Sequence, residues 1–426
     1  MKHIRFRNLI CVLTAVLCCA AFCCASAETT PDPNRYAPEQ MLVLSRHNIR
    51  SPLSGWGSVL GEVTNHEWFD WSSAAGELSL RGGRLETQMG QYFRKYLVSL
   101  GLMEENWVPE EGSVRIYSNS LQRTIATAKY FSSAMFPAAN LEVEHHEEIG
   151  TMDPVFFPRM TFMSDRYIEA VDRQVAERID LGALQDNFDL LEEVLDYGDS
   201  VFAGTLPHLN AQDLSLIYIL NEEPNMNGSL KIANSAADAL KLQYYEEPDS
   251  YKAAFGHVLS PQDWEKICEI TEVYGEVLFG TPLFAVNVAN PLLKEMRAEL
   301  TNDARVFSFL CGHDSSIMSV LTSLRVKPYF LPNSLEKKTP IGGKVVFEKW
   351  RDLADDQEYV RVSYVYQSLD QLHERTTLDL NHPPMRYTLE FDGMETNADG
   401  LYRYEDILER FETAIGDYDR MVAEYE

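Results

Sequence analysis

Short apolar runs that stop abruptly at polar residues set the rhythm of this chain. Met41-Leu42-Val43-Leu44 ends in Ser45-Arg46-His47, and Val306-Phe307-Ser308-Phe309-Leu310 ends in Cys311-Gly312-His313. Runs of this length and make-up read as buried strands that deliver polar side chains at their C-terminal ends. Strand-like segments are predicted at 41–45, 114–118 and 141–145, with helical stretches near 83–99 and 120–135. This alternation implies a parallel sheet with helices on its faces. From about 155 to 285 the texture changes to long helix-patterned pieces, among them Arg166 to Val194 and Asn234 to Tyr245, with little that reads as strand. Residues 305–310 restore the sheet, helix 315–324 follows, and 343–348, 359–366 and 385–391 are again strand-like. The expected fold class is α/β: a mostly parallel sheet flanked by helices, with an inserted, largely helical second domain. Residues 28–154 and 286–426 would form the α/β domain and 155–285 the insertion, with 28–40 an exposed lead-in containing Pro31 and Pro33.

The first 27 residues stand apart from that core. Lys2, Arg5 and Arg7 form a positive start, Leu9 to Cys24 is a short apolar stretch, and Ala25-Ser26-Ala27 is a small-residue cleavage signal. Residues 1–27 therefore read as an export signal peptide, with Glu28 the first residue of the mature chain. The apolar stretch is short for a membrane span, and Phe22 before Cys23 is a poor fit to lipid attachment. Of seven cysteines only Cys268 and Cys311 lie beyond this segment, enough for a single disulfide. The whole chain carries 37 Lys and Arg against 65 Asp and Glu, and loss of Lys2, Arg5 and Arg7 takes the formal charge from −28 to −31. Such a surface repels nucleic acid and anionic membrane, which argues against both as partners of the mature chain. It also repels phosphate esters at long range. Any phosphate site must then be a local positive pocket, one that penalises a polyanion more than a monoester.

The chemistry concentrates at the two strand ends. Arg46-His47-Asn48-Ile49-Arg50-Ser51-Pro52 places two arginines around a histidine, with Pro52 stiffening the exit. A guanidinium fork matches phosphate geometry, and an imidazole nitrogen can attack phosphorus. In open α/β sheets ligands bind at this end of the strands. Tyr117-Ser118-Asn119-Ser120-Leu121-Gln122-Arg123-Thr124 is a second strand end, leading into a helix with Arg123 in its first turn. The third is Gly312-His313-Asp314, where Asp314 also suits the N-cap of helix 315–324. His145-His146 looks like a metal or acid–base pair, but neighbours on a strand face opposite sides. No His/Asp cluster stands at metal-ligand spacing. Gly342-Gly343 lacks P-loop spacing and reads as a hairpin turn.

Together the three segments resemble the histidine acid phosphatases, the branch of the histidine phosphatase superfamily that includes phytases. An Arg-His-x-x-Arg-x-Pro start and a late His-Asp pair behind a signal peptide form a highly specific combination. Asn48, where most of the superfamily has Gly, is similar to the members that hydrolyse glucose 1-phosphate. So are Gly150-Thr151-Met152-Asp153-Pro154, Leu242-Gln243-Tyr244-Tyr245-Glu246, Lys327-Pro328-Tyr329, Thr339-Pro340-Ile341-Gly342-Gly343-Lys344 and Tyr364-Val365-Tyr366-Gln367-Ser368. The resemblance implies that His47 is the nucleophile, forming a phosphohistidine, and that Arg46, Arg50, Arg123 and His313 hold the non-bridging oxygens. Asp314 would protonate the leaving group and then help activate water. No cofactor or metal is implied, and Glu223 aligns with an acidic residue that narrows the pocket mouth. The expected substrate is a small phosphate monoester, glucose 1-phosphate first and inositol phosphates second, handled in the periplasm or outside the cell. A phytase or broad acid phosphatase is the alternative, and a non-catalytic exported sugar-phosphate binder a further one. The demand for neutral His47 and protonated Asp314 together implies an acidic optimum. Relatives usually carry several disulfides, whereas this chain can form at most one.

Overall fold

The strand predicted at 41–45 runs from Tyr36 to Arg46 as β1 in a computed structural model that describes residues 30–53, 58–199 and 206–426. The predicted signal peptide and its cleavage after Ala27 lie outside the described residues. β1 is central because both of its faces are apolar. Met41 and Val43 enter one buried layer and Leu42 and Leu44 the other, as alternation along a strand requires. The exposed lead-in therefore ends before Tyr36, which is already buried in the sheet.

Further strands are β2 (Val114–Ser118), β3 (Leu214–Ile217), β4 (Asn225–Gly228), β5 (Phe307–Gly312), β6 (Lys344–Asp352), β7 (Glu358–Tyr366), β8 (Met385–Thr388) and β9 (Tyr402–Arg403). The main sheet has the order β2-β5-β1-β6-β7-β8, with β9 also paired to β7. Its α/β character is as expected, but its parallel part is confined to β2-β5-β1; β6 to β9 join by antiparallel pairings. The sheet is therefore mixed rather than mostly parallel. The physical reason is the short turn between β6 and β7, a hairpin that can only make antiparallel neighbours.

Helices Leu80–Leu100 and Gln122–Met135 cover one face of the sheet through Met89, Phe93, Leu97, Phe131 and Met135. Helices Pro282–Leu300, Asp314–Ser323 and Tyr404–Tyr425 cover the other through Leu292, Met296, Ile317, Val320 and Phe411. A separate apolar cluster gathers Val171, Phe188, Leu191, Leu240, Trp264 and Ile267 from the helices between β2 and β5. Among the described residues no single helix is long and apolar enough to cross a membrane.

Three local expectations change. Residues 141–145 form no strand; only Glu144 bridges Tyr117, after which the chain turns away through Gly150 at φ +103°. The stretch Arg166 to Val194 is two helices, Asp165–Arg178 and Gln185–Leu195. The break is made by an extended Ile179 and by the Asp180 carboxylate, which accepts from Gly182 N at 3.1 Å. The 155–285 region also holds an antiparallel hairpin, β3–β4, whose strands are too short to leave a period-two signal.

Candidate active site

β1 and β5 are parallel neighbours with Arg46 opposite Gly312, and Ser118 at the end of β2 lies opposite Cys311. The next residues along each chain, His47, His313 and Asn119, therefore emerge from one edge of the sheet. They meet at a cavity of about 400 Å³ lined by His47, Arg50, Arg123, Glu223, His313 and Asp314 among others. All seven residues singled out in the sequence come together, with Arg46 buried behind the wall and bonded to Asp314.

His47 is pinned on both sides. Its N–H donates to Gly312 O at 3.1 Å, and its carbonyl accepts from Gly342 N at 3.1 Å. The ring bonds Asn48 O through Nδ1 at 2.9 Å. A carbonyl can only accept, so the ring proton sits on Nδ1 and Nε2 keeps its lone pair. Burial, then the charges of Arg123, His313, Arg50 and Arg46, hold this imidazole well below its ordinary range. His47 is thus a neutral imidazole with a free nitrogen in a cationic setting.

Asn48 locks the loop. Its Nδ2 donates to Glu86 Oε2 at 2.9 Å, its Oδ1 accepts from Ile49 N at 2.9 Å, and its N–H donates to Thr127 Oγ1 at 3.1 Å. Glu86 is paired with Lys344 at 2.7 Å, both fully buried, and Lys344 also donates to Ser45 Oγ and to Gly342 O. Gly342 is the turn predicted before β6. It sits at φ +64°, and a Cβ there would meet Asn48 Nδ2 at 2.4 Å, so glycine is required twice over.

The arginines are held by a buried charge network. Arg46 donates from Nη1 to Glu336 Oε1 at 2.7 Å and to Thr339 O at 2.6 Å, and its Nη2 forms an ion pair with Asp314 Oδ2 at 2.9 Å. Glu336 also accepts from Lys241 Nζ at 2.8 Å, Tyr245 OH at 3.0 Å and Ile341 N at 2.9 Å. Asp238 takes Arg50 Nη2 at 3.1 Å and lies 3.5 Å from Lys241 Nζ. Among the described residues Arg123 has only a 3.5 Å contact to Gly76 O, and burial followed by the Arg50 charge pushes it down to about 10. The Nε atoms of Arg46, Arg50 and Arg123 are all buried without a hydrogen-bond partner. Unsatisfied guanidinium donors are costly inside a protein, and an oxyanion in the cavity beside Arg50 and Arg123 would offset their charge. The pocket is not uniformly positive, however, since Asp238, Asp314 and Glu336 offset most of its cations.

His313 has its own orienting partner. Asn119 Oδ1 accepts from Ser120 N and Asp153 N, both at 2.8 Å, which turns Nδ2 towards His313 Nε2 at 2.6 Å. Nε2 therefore accepts, and the His313 proton sits on Nδ1 with no protein partner among the described residues. Burial, then the Arg123 charge, hold this ring well below its ordinary range too, although Asp314 opposes them.

Asp314 is not the N-cap expected from the sequence. The helix starts one residue earlier: His313 takes the extended cap conformation and Asp314 is the first helical residue. Its Oδ1 accepts from Ser315 N at 2.9 Å, and Oδ2 faces Arg46. Burial would raise this carboxyl, but Arg46, Lys241, His313 and Arg50 hold it well below the usual carboxylate range. Glu223 is open to solvent within the cavity yet ringed by protein at longer range. That desolvation, then the charge of Asp314, pushes it up to about 7.

Asn119, Asp238, Lys241 and Glu336 were given no role by the sequence. Lys241 and Asp238 carry a signal in hindsight, because they are charges on the helix Ser229–Glu246 beside the buried Ala237 and Leu240. Glu336 lies in an irregular segment with no periodicity to betray it. His145 and His146 lie apart from the cavity, with His146 exposed against Glu144. Cys268 and Cys311 are both buried and free.

Residues 39–365 match the histidine phosphatase superfamily (branch 2). A glucose-1-phosphatase of Providencia rettgeri is 37% identical over 404 residues, 93% of this chain and 96% of that protein. A glucose-1-phosphatase of Salmonella typhimurium is 37% identical over 397 residues, covering 92% and 95%. The structure of Hafnia alvei phytase in complex with myo-inositol hexakis sulphate superimposes with a TM-score of 0.80 at 25% identity, covering 91% of this chain and 98% of that one. The matched span contains every residue that the two strand ends and the intervening helices bring to the cavity, and the chain belongs to branch 2 of the histidine phosphatase superfamily.

Proposed function

We propose that the protein is a phosphomonoesterase that hydrolyses glucose 1-phosphate through a covalent phosphohistidine. One observation carries this reading: the unprotonated Nε2 of His47 shares a cavity with Arg50 and with Arg123, whose guanidinium makes no ion pair among the described residues. In the first step the Nε2 lone pair forms a bond to phosphorus while the P–O ester bond breaks towards the sugar oxygen. Asp314 supplies the proton which that oxygen takes up. In the second step water attacks the phosphohistidine, giving its proton back to Asp314 and releasing phosphate. Arg50, Arg123 and the Nδ1–H of His313 face the charge that develops on the equatorial oxygens, and Arg46 adds its own charge from behind the wall.

The cations around Asp314 favour its ionised form in the free enzyme. A bound phosphate dianion draws on the same cations and adds negative charge, both of which raise the carboxyl and let it carry the proton. Burial and the neighbouring charges keep His47 neutral on the acid side as well, so turnover peaks below neutrality. The segment 155–285, treated as an insertion, then supplies Glu223, Asp238 and Lys241 as the wall opposite the strand ends. The enzyme would act after export, with residues 1–27 removed, as suits an extracytoplasmic phosphatase in a bacterium.

Hydrolysis of inositol phosphates is the second reading, favoured by the likeness to the Hafnia alvei phytase. Against it stand Asp238 on the lining and the net negative charge of the whole chain, which disfavour a polyanion. Phosphate release at about pH 5 from glucose 1-phosphate and from inositol hexakisphosphate, with chelator present, separates the readings. A preference for the sugar phosphate that vanishes in His47→Ala, by roughly 10³-fold or more, supports the proposal. A preference for the inositol ester overturns the substrate, release surviving in His47→Ala overturns the mechanism, and binding without release leaves a sugar-phosphate binder.

A further inference from the structure

Away from the cavity, His66, Asp196 and His257 converge from three segments far apart in the sequence. One ligand atom of each lies within 4.8 Å of the other two. His66 Nε2 is 2.7 Å and His257 Nε2 3.6 Å from the same oxygen, Asp196 Oδ2. Local spacing could not reveal such a group, which is why the sequence suggested no metal-ligand cluster. We infer that His66, His257 and Asp196 form a divalent transition-metal site, best suited to zinc, that clamps the loop after Glu62 to the helical layer.

The donor set is two imidazoles and one carboxylate, a chemistry that favours zinc among abundant divalent ions and leaves a fourth position for water. Tetrahedral ligands about 2.0–2.1 Å from a zinc ion stand a little over 3 Å apart. Separations of 2.7 Å, 3.6 Å and at most 4.8 Å need shifts of a few tenths of an ångström to about 1.5 Å to reach that spacing. The two imidazoles are partly shielded, with side-chain exposures of 30% for His66 and 25% for His257, while Asp196 is exposed at 47% and leaves the site open to an ion from solvent. Each is also held in place by its surroundings. The His66 ring stacks on Phe255 at 4.7 Å, and the His66 backbone N–H donates to Thr64 Oγ1 at 3.1 Å. Thr64 in turn donates to Leu195 O at 2.6 Å, tying the loop to the helix whose left-handed terminal residue is Asp196. The N–H of His257 donates to Ala254 O at 2.9 Å. Leu60, on the short helix leading into this loop, lines the active-site cavity, so the clamp steadies one wall of that cavity without touching the reacting groups. Neither ring's Nδ1 has an acceptor among the described residues, so the affinity expected is micromolar rather than the tighter binding of a site with oriented outer partners.

Zinc titration of untagged protein stripped with chelator tests the site, with unfolding monitored in parallel. The expected result is one equivalent bound at micromolar zinc, together with a rise in Tm, because a ligand of the folded state alone stabilises it. His66→Gln and His257→Gln should each weaken binding by at least about tenfold, while His47→Ala leaves it unchanged. Should a histidine variant fail to fold, Asp196→Asn keeps the side-chain shape and should weaken binding likewise. Equal affinity in these variants, loss of binding in His47→Ala instead, or no binding up to millimolar zinc would each overturn the proposal. None of these outcomes depends on phosphatase activity.

Discussion

Asn119 donates from Nδ2 to Nε2 of His313 at 2.6 Å, and two backbone N–H groups on its Oδ1 prevent the amide from turning over. The relationship fixes a tautomer: His313 must present Nδ1–H. Asn119→Asp replaces a donor with an acceptor, so the ring is re-protonated on Nε2 and its charged form is stabilised. We expect kcat to fall by roughly 10-fold to 10²-fold, in the range of a lost orienting contact. The acid limb of the pH–rate profile should move to higher pH, as His313 now titrates within the working range. Asn119→Leu, which removes the contact without adding charge, should lower kcat without moving that limb. Identical profiles for the two variants would count against a tautomer role.

Glu223 is pushed up to about 7 by burial and by the neighbouring charge of Asp314. Below that value it is neutral, and above it a second carboxylate faces the incoming phosphate. Activity on a dianionic ester should therefore fall as pH rises through about 7. In Glu223→Gln, which mimics the protonated form at every pH, the fall near 7 should be reduced and kcat/KM at pH 8 should rise several-fold relative to the parent. Parallel profiles for parent and variant would remove Glu223 from the substrate's surroundings.

Glu336 joins Arg46, Lys241, Tyr245 and the Ile341 N–H in one buried cluster. Burial opposes ionisation, but Arg46 and Lys241 prevail and push the carboxyl down to about 2. Its folded-state value is below its unfolded one, so the stabilisation is complete above about pH 4.5 and is lost as pH falls through about 2. Glu336→Gln leaves two cations without their carboxylate, and should cost about 3–5 kcal/mol in urea unfolding at neutral pH. The difference from the parent should shrink towards pH 2. A constant difference across that window would mean that shape rather than charge is what Glu336 contributes.

Gly342→Ala meets two obstacles at once. A left-handed backbone costs a residue with a Cβ about 1–2 kcal/mol, and the added methyl would strike Asn48 Nδ2. Displacing Asn48 moves the carbonyl that orients His47, so kcat should drop by roughly 10²-fold. Gly393 offers the comparison, since it too has a positive φ, +69°, but nothing within 4 Å of the added methyl. Gly393→Ala should lose similar backbone stability and keep kcat. Equal kcat in the two variants would show that Gly342 matters only as a turn.

The parts of this molecule legible in the sequence are those with local causes. Leu42, Val43 and Leu44 announce a buried strand by composition, and Arg46, His47 and Asp314 announce chemistry by standing where such strands end. Parallel against antiparallel pairing was not legible, because Val345 or Val362 would look the same in either ladder. The break at Ile179 turns on one aspartate closing a local turn, a contest that periodicity does not register. Glu336 and Asn119 escaped for a different reason. Their importance lies in which side chains face them across the fold, and no spacing along the chain encodes that. The His66–Asp196–His257 group belongs to the same class.

The placement of β5 has a consequence in time. It lies between β1 and β2, yet it is not made until residues 307–312 leave the ribosome, and β6, the other neighbour of β1, comes later still. Until then β1 and β2 are apolar strands with open edges, the kind of surface that pairs with other chains. Closing the sheet also requires the whole segment 119–306 to be looped out, a non-local step that makes folding slow and dependent on protection from aggregation. His47 and Asp314 then arrive together, because the peptide group that receives the His47 N–H is the one leading into His313. Catalytic competence is thus withheld from a growing chain until about three quarters of it has been made, and a nascent phosphatase is silent by construction.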